Sequence, residues 1–384
     1  MQKKLIALAV AGMAAAPAFA QSNVTIYGVA DATYDSISVH GASNSDYNVG
    51  RYSRVSTNSS LIGFKGTEDL GNGLKALFQF ESTVGFDAAG GLNAARDSYV
   101  GVTGGFGTVL LGNLTGPTRA LGAALDVNAG ATGIGANAAL LGKLSNLLIN
   151  GTDGNSNFTP FATCGRSTTC ASLFDTRWKN SVAYVSPNFS GVTGTVAYVA
   201  NENKTRDGLR NTGGEANTWG YDLGVKYANG PIMAAMTYNK VNLGWNDDSK
   251  VADFRIGAMY DFGIASVRVV YDRVKLDSDG FDTRQTVWGI GGTFNVTPAG
   301  KVLAQYYKAG DLKGDGWSDS GAKLFSVGYE HSLSKRTMLK ASYSKILNDD
   351  FASYDYGINA AGITNTNAEG AHLTGFSAGI RHLF

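Results

Sequence analysis

Cysteine, proline and histidine are scarce in this 384-residue chain, at 2, 6 and 4 residues. Two cysteines exclude a fold stapled by many disulfides. Both fall in one stretch, and Cys164 and Cys170 are a candidate disulfide in an oxidising compartment. That bond would close a very short ring and add little global stability. Metal binding by the pair is the poorer reading, because no nearby histidine completes a tetrahedral set. The histidines, His40, His331, His372 and His382, have no serine and acid in a triad arrangement readable from sequence, which argues against hydrolytic catalysis. The acidic clusters at 246–248, 311–319 and 349–350 lack calcium-loop spacing and read as solvated loop charge. No cofactor is called for.

Charge of one sign is also missing. Lys and Arg number 32 and Asp and Glu 31, so losing Lys3 and Lys4 would leave 30 against 31. That balance gives no electrostatic footprint for nucleic acid. Past the first 20 residues no apolar run reaches the ~18 residues of a spanning helix. Met1 to Ala20 reads as a secretory signal: Lys3 and Lys4, an apolar middle from Leu5 to Ala16, and the small-x-small site Ala18-Phe-Ala20. The expected mature chain, 21–384, is a single domain that leaves the cytoplasm.

What is abundant is glycine, at 51 residues, with 18 Tyr and 18 Phe. Short alternating runs recur between turns. In Leu74-Lys-Ala-Leu-Phe-Gln-Phe-Glu81, Leu74, Ala76, Phe78 and Phe80 share one face while Lys75, Gln79 and Glu81 share the other. Trp219 to Ala228 repeats the pattern, with Asp222 and Lys226 opposite the aromatic face. About sixteen such strands can be placed, from Val24–Ser36 to Leu373–Phe384, and short turns alternate with longer polar loops. His40 to Ser56 reads as one of those loops. An even strand number with this asymmetry predicts an all-β, 16-stranded antiparallel transmembrane barrel of the outer-membrane kind, apolar face to lipid and polar face to water. From about 115 to 175 the alternation stops, and this long stretch is expected to fold into the barrel mouth and narrow it.

Several segments resemble the Gram-negative trimeric porins, in the branch typical of beta-proteobacteria. They are Val24-Thr-Ile-Tyr-Gly-Val-Ala-Asp31, the hairpin from Ser60 to Ala76, Arg96-Asp-Ser-Tyr-Val-Gly-Val102 with Phe106 to Gly112, and Asn180 to Pro187. The resemblance covers the mature chain in order. It implies a homotrimer in the cell outer membrane, with the third outer loop as the constriction. It also implies that Phe384 is part of the signal read by the insertion machinery. Relatives commonly carry pore arginines where this chain has Leu61 and Asn113, which weakens any inference of strong anion selectivity.

On strand parity the water-facing side carries Lys65, Lys75, Glu81, Arg96, Lys179, Asp222, Arg268, Glu330, Lys340 and Arg381, and the long loop adds Arg119 and Asp126. Charged rings set selectivity in pores, although any one such residue can be merely a solvated wall charge. Arg96, Arg119 and Asp126 are the leading candidates for the constriction. The function expected is a passive water-filled channel for ions and small hydrophilic solutes. The competing readings are a substrate-specific channel or a surface adhesin on the same barrel. The partners expected are two further copies, outer-membrane lipid and lipopolysaccharide.

Overall fold

In the computed structural model the described residues are 23–87, 92, 96–144, 174–200, 219–242, 250–278, 281–314, 318–363 and 368–384. The expected signal segment and the Cys164–Cys170 pair lie outside them. The strands in chain order are β1 (Asn23–His40), β2 (Val49–Thr57), β3 (Leu61–Gly71), β4 (Leu74–Thr83), β5 (Ser98–Gly104) and β6 (Gly107–Thr115), then β7 (Arg177–Val185), β8 (Val192–Val199), β9 (Trp219–Asn229), β10 (Ile232–Asn242), β11 (Lys250–Asp261) and β12 (Ala265–Ser278), and finally β13 (Phe281–Asn295), β14 (Gly300–Ala309), β15 (Ala322–Ser332), β16 (Thr337–Asn348) and β17 (His372–Leu383).

Every neighbouring pair is antiparallel, and β1 pairs with β17, which closes the sheet. The seventeen segments make sixteen staves. β1 pairs through Ala32–Val39 with β2 and through Asn23–Val29 with β3, so β2 and β3 are one stave interrupted at Asn58–Ser60. β2 falls within the stretch read as a polar loop because Val49–Thr57 is rich in serine, threonine and arginine with few apolar residues, and its partners supply the pairing that its composition does not. β1 is also longer than its apolar pattern suggested. Beyond Ser36 its inward Ile37 and Val39 are fully buried by loops instead of facing water.

The turns at one end are tight. Gly263, at φ 85°, lets β11 and β12 reverse within three residues, a backbone state that glycine enters without strain. The other end carries the longer connections, apart from that between β12 and β13, where pairing runs out to Ser278 and Phe281. Val225, Ile256, Val269, Ile290, Phe325 and Phe376 lie on the outer face and are exposed, which in water would be untenable for so broad a belt and in lipid is the stable arrangement. The opposite face holds the buried polar residues, and there the core sits. Ile134, Leu140 and Leu141 of the stretch after β6 pack with Tyr354, Tyr356 and Ile363 of the connection between β16 and β17, over Leu324, Ile346 and Leu373 of the wall.

Candidate functional site: the loops on the inner wall

Pro117–Leu125, written α1 below, is a helix that begins directly after β6. Proline at its first turn costs no hydrogen bond. Gly116 offers no capping side chain, and Asp222 of β9, on the wall against which the helix lies, takes that role. Its carboxylate accepts from Thr118 N at 3.2 Å and from Thr118 Oγ1 at 2.6 Å, placing negative charge at the helix N-terminus. The wall is cut away to admit the helix. A Cβ on Gly224 would lie 2.5 Å from Pro117 Cβ, and one on Gly257 would collide with Leu125.

The anchor on the far side is Arg255 of β11. It is 0% exposed and bonds Asp272 at 2.7 Å, Asp175 at 3.1 Å and Asp253 at 3.2 Å. It also donates to the carbonyl oxygen of Thr118 at 3.1 Å. Arg255 is not among the sequence candidates; it belongs to the inward alternation Val251, Asp253, Arg255 at the start of β11, where a run of buried polar residues gives no amphipathic signal.

Asp126 departs from the expectation of a pore-facing acid. It is only 3% exposed. Its oxygens accept from Asn128 N at 2.8 Å and Asn137 N at 2.6 Å, tying the loop to itself. Burial pushes its carboxyl above the usual range, and those hydrogen bonds oppose the shift. Arg268 donates to its carbonyl oxygen instead of facing its carboxylate. Lys179 departs too. Asn180 takes φ 49° in an irregular stretch of the β6–β7 ladder, so Trp178 is buried with the loop while Lys179 beside it is exposed.

The other expected wall charges share the inner face, since they pair around the sheet in one register. Glu81 takes Arg96 at 3.4 Å and Tyr27 at 2.8 Å. Asp31 takes Lys340 at 2.6 Å and Arg381 at 2.9 Å. Glu330 takes Lys301 at 2.8 Å. Lys65 lies over the Tyr27 ring at 4.9 Å, and Lys75 is exposed. Two arginines that the sequence reading did not single out join them: Arg54 beside Asp35 at 3.5 Å, and Arg177 on Asp97 at 2.8 Å. Arg119 projects from α1 toward Arg96 and Arg177, with no carboxylate in ion-pair range among the described residues. Burial first, and Arg177 next, lower its pKa to about 10, so it stays charged at neutral pH.

The second inward element is the connection 349–371, read from sequence only as a polar loop. Asp355 accepts from the backbone nitrogens of Tyr356, Ala361, Gly362 and Ile363 and so folds the segment into a knot. Tyr354 donates to Gln285 at 2.7 Å, and Arg54 holds the carbonyls of Asn359 and Ala360. The spacing of Ala352, Tyr354 and Tyr356 was the available signal.

Lys143, where the two loops meet, is buried and donates to the Ala139 carbonyl oxygen at 2.8 Å. Desolvation lowers its pKa to about 8, with Asp175 and Asp355 opposing. The unfolded value is about 10.4. Below pH 8 the lysine is charged in both states and the burial penalty is fully present. Between pH 8 and 10.4 the folded form has shed the proton that the unfolded form keeps, so folded-loop stability rises with pH. Hydrogen exchange across 116–144, corrected for intrinsic rate, is expected to slow over that window by roughly 3 kcal/mol in opening free energy. In Lys143→Met the slowing is expected to vanish. A wild-type profile flat in pH would contradict this.

A closed sixteen-stave barrel with an apolar outer belt and two loops bonded to a charged inner wall defines an outer-membrane channel protein. The family model for Gram-negative porins matches residues 7–350. The chain belongs to that family. It is 33% identical, over 100% of both chains, to outer membrane porin protein 32 of Delftia acidovorans. Its structure resembles the anion-selective porin from Comamonas acidovorans, with a TM-score of 0.72 and 26% identity over 95% of this chain and 100% of that one. The trimer form of the outer membrane protein OmpT of Vibrio cholerae shares the fold at a TM-score of 0.64 and 16% identity, covering 94% and 99%.

Proposed function

We propose that this porin is a homotrimeric, passive channel that prefers small anions and hydrophilic solutes, with its narrowest point at α1 and no catalytic activity. The observation that carries the preference is an asymmetry of burial. On the inner wall Asp31, Asp35, Glu81, Asp222, Asp272 and Glu330 are buried and bonded to wall or loop groups. Lys65, Lys75 and Lys226 are exposed on that face, with exposed Asp69 across the ladder from Lys75, and Arg119 of α1 makes no direct ion pair among the described residues. A carboxylate sealed behind its own cation contributes little field to pore water, whereas an unpaired ammonium or guanidinium contributes its full charge. The likeness to the anion-selective porin from Comamonas acidovorans supports the same reading. The trimer rests on the family and the trimeric neighbour. Contact with lipopolysaccharide, and recognition of Phe384 by the insertion machinery, belong to the same proposal.

Reversal potential across a salt gradient in a planar bilayer tests it. The expected sign is that of an anion-preferring pore. Arg119→Ala is expected to move the permeability ratio toward cations by up to about fivefold, the effect of removing ~1 kcal/mol of Coulomb energy at 4 Å in water. Arg96→Ala is expected to move it less, because Glu81 already offsets that charge. Equal shifts for the two, or a cation-preferring wild type, would overturn the assignment.

A further inference from the structure

The outer face is apolar over most of its height, but not at the end that carries the longer connections. There, on β12 to β16, outward positions are basic. Lys275 stands across the ladder from Arg284, and Lys313, past the end of β14, bridges Arg284 from the other side. Lys308 faces Lys323 directly, and Lys345 is opposite Phe325, diagonal to Lys323. Arg284, Lys308 and Lys313 are exposed, and Lys323 and Lys345 are half-buried. Asp277 and Asp282 take Lys275 at 3.5 and 3.6 Å. The other five cations have no carboxylate in ion-pair range among the described residues. Like charges directly opposite on a ladder destabilise it, and an anion shared between them removes that cost. Nearer the short turns the same staves present Val267, Phe294, Val302, Tyr329 and Leu339 outward instead.

The depth of the two rows points to the anion. Lys308 is level with Trp288, which lies across from Tyr271 and 5.5 Å from the Tyr306 ring. An outward aromatic row of this kind marks the boundary between hydrocarbon and headgroups. Arg284 is four residues beyond Trp288 on β13, roughly 13 Å further along the strand. Cations at and above that boundary, on the lipid side of the wall, meet headgroups. Two rows at different depths suit a headgroup with several anionic groups better than one with a single phosphate. We propose that the outer face of β12–β16 is a docking surface for lipopolysaccharide, whose phosphates bridge Lys308 with Lys323 and Arg284 with Lys313. This rests on the lipopolysaccharide contact included in the reading above and assigns it to particular side chains. Arg284 can take a phosphate through two parallel N–H bonds, while the lysines act as point charges.

The test titrates fluorescently labelled lipopolysaccharide onto the folded protein in detergent, freed of native lipid. EDTA is present so that no divalent ion bridges Asp277 or Asp282 to the ligand. The wild type is expected to bind, to lose affinity as salt rises, and to bind lipopolysaccharide stripped of phosphate by hydrofluoric acid far more weakly. Lys308→Gln with Lys323→Gln is expected to weaken binding roughly thirtyfold, the combined effect of two cations at an anionic lipid surface. Arg284→Gln with Lys313→Gln, at exposed positions, is the second variant and is expected to weaken it similarly. Lys335→Gln with Arg336→Gln, in a turn at the opposite end, is expected to change nothing. Displacement of the labelled ligand by inorganic phosphate at matching concentration would assign the rows to a free anion and overturn the proposal. Wild-type affinity in both of the first two variants overturns this placement but leaves lipopolysaccharide contact standing. A wild type that binds no lipopolysaccharide overturns both.

Discussion

Arg255→Met is expected to leave the barrel closed and detach its third outer loop. The substitution keeps an unbranched, though shorter, side chain and every backbone bond of β11. It also strands Asp253 and Asp272, both fully buried, without their cation. Breaking a buried pair from one side costs about 3–5 kcal/mol, because the remaining charge has nowhere to go. The loop's own attachment through Thr118 O is lost at the same time. Limited proteolysis of the folded protein is expected to cut between 116 and 176 in the variant and to spare the wild type. Single-channel recordings are expected to show larger, noisier conductance. A compensated variant that adds Asp253→Asn and Asp272→Asn separates charge imbalance from lost shape, since it is expected to recover protease resistance in part. A single variant as resistant as wild type would mean that the guanidinium is not what holds the loop.

The second large effect concerns the contact between the two loops. Gly357 meets the third loop so closely that a Cβ there would lie 2.5 Å from the carbonyl carbon of Ala138 and 2.6 Å from Ala139 N. Both are backbone atoms, so no side-chain rotation relieves the clash. Gly357→Val is therefore expected to cost about 1–3 kcal/mol or more, as overpacking does, and to push 349–371 off its partner. Conductance should rise, with ion preference little changed, because Arg119, Lys65 and Lys75 lie elsewhere. A fall in conductance would show that 349–371 lies across the ion path only when displaced.

Most of the barrel was legible because an alternating strand announces itself. Leu74 to Glu81 and Trp219 to Ala228 placed the right residues on each face. That one pattern carried Lys65, Lys75, Glu81, Asp222, Arg268, Glu330, Lys340 and Arg381 to the inner wall. It failed where a tertiary partner overrides local pattern. β2 has too little apolar content to be read without β1 beside it. At Asn180 one irregular residue was enough to put Lys179 out of step. The inward loops were the harder case. A charged residue on a loop looks the same in sequence whether it meets water or is sealed, and Asp126 and Asp355 are both sealed by backbone donors from their own loops. Arg255 was invisible for a related reason, since its three carboxylates come from β11 itself, from β12 and from the end of the third loop.

The seam between β1 and β17 also constrains how the molecule comes into being. Gly28 and Phe384 exchange backbone bonds at 3.0 and 3.1 Å, and Arg381 reaches Asp31 across 350 positions of chain. No contact of longer sequence separation is needed anywhere else in the sheet, and none can substitute for this one. Until it forms, the growing sheet has two live edges, each a template for pairing with another molecule. Closure also carries the entropy of joining nearly the whole chain into one loop. The chain must therefore travel unpaired through water and zip shut only where lipid rewards it, so the passage between the two membranes is the most aggregation-prone interval of its life.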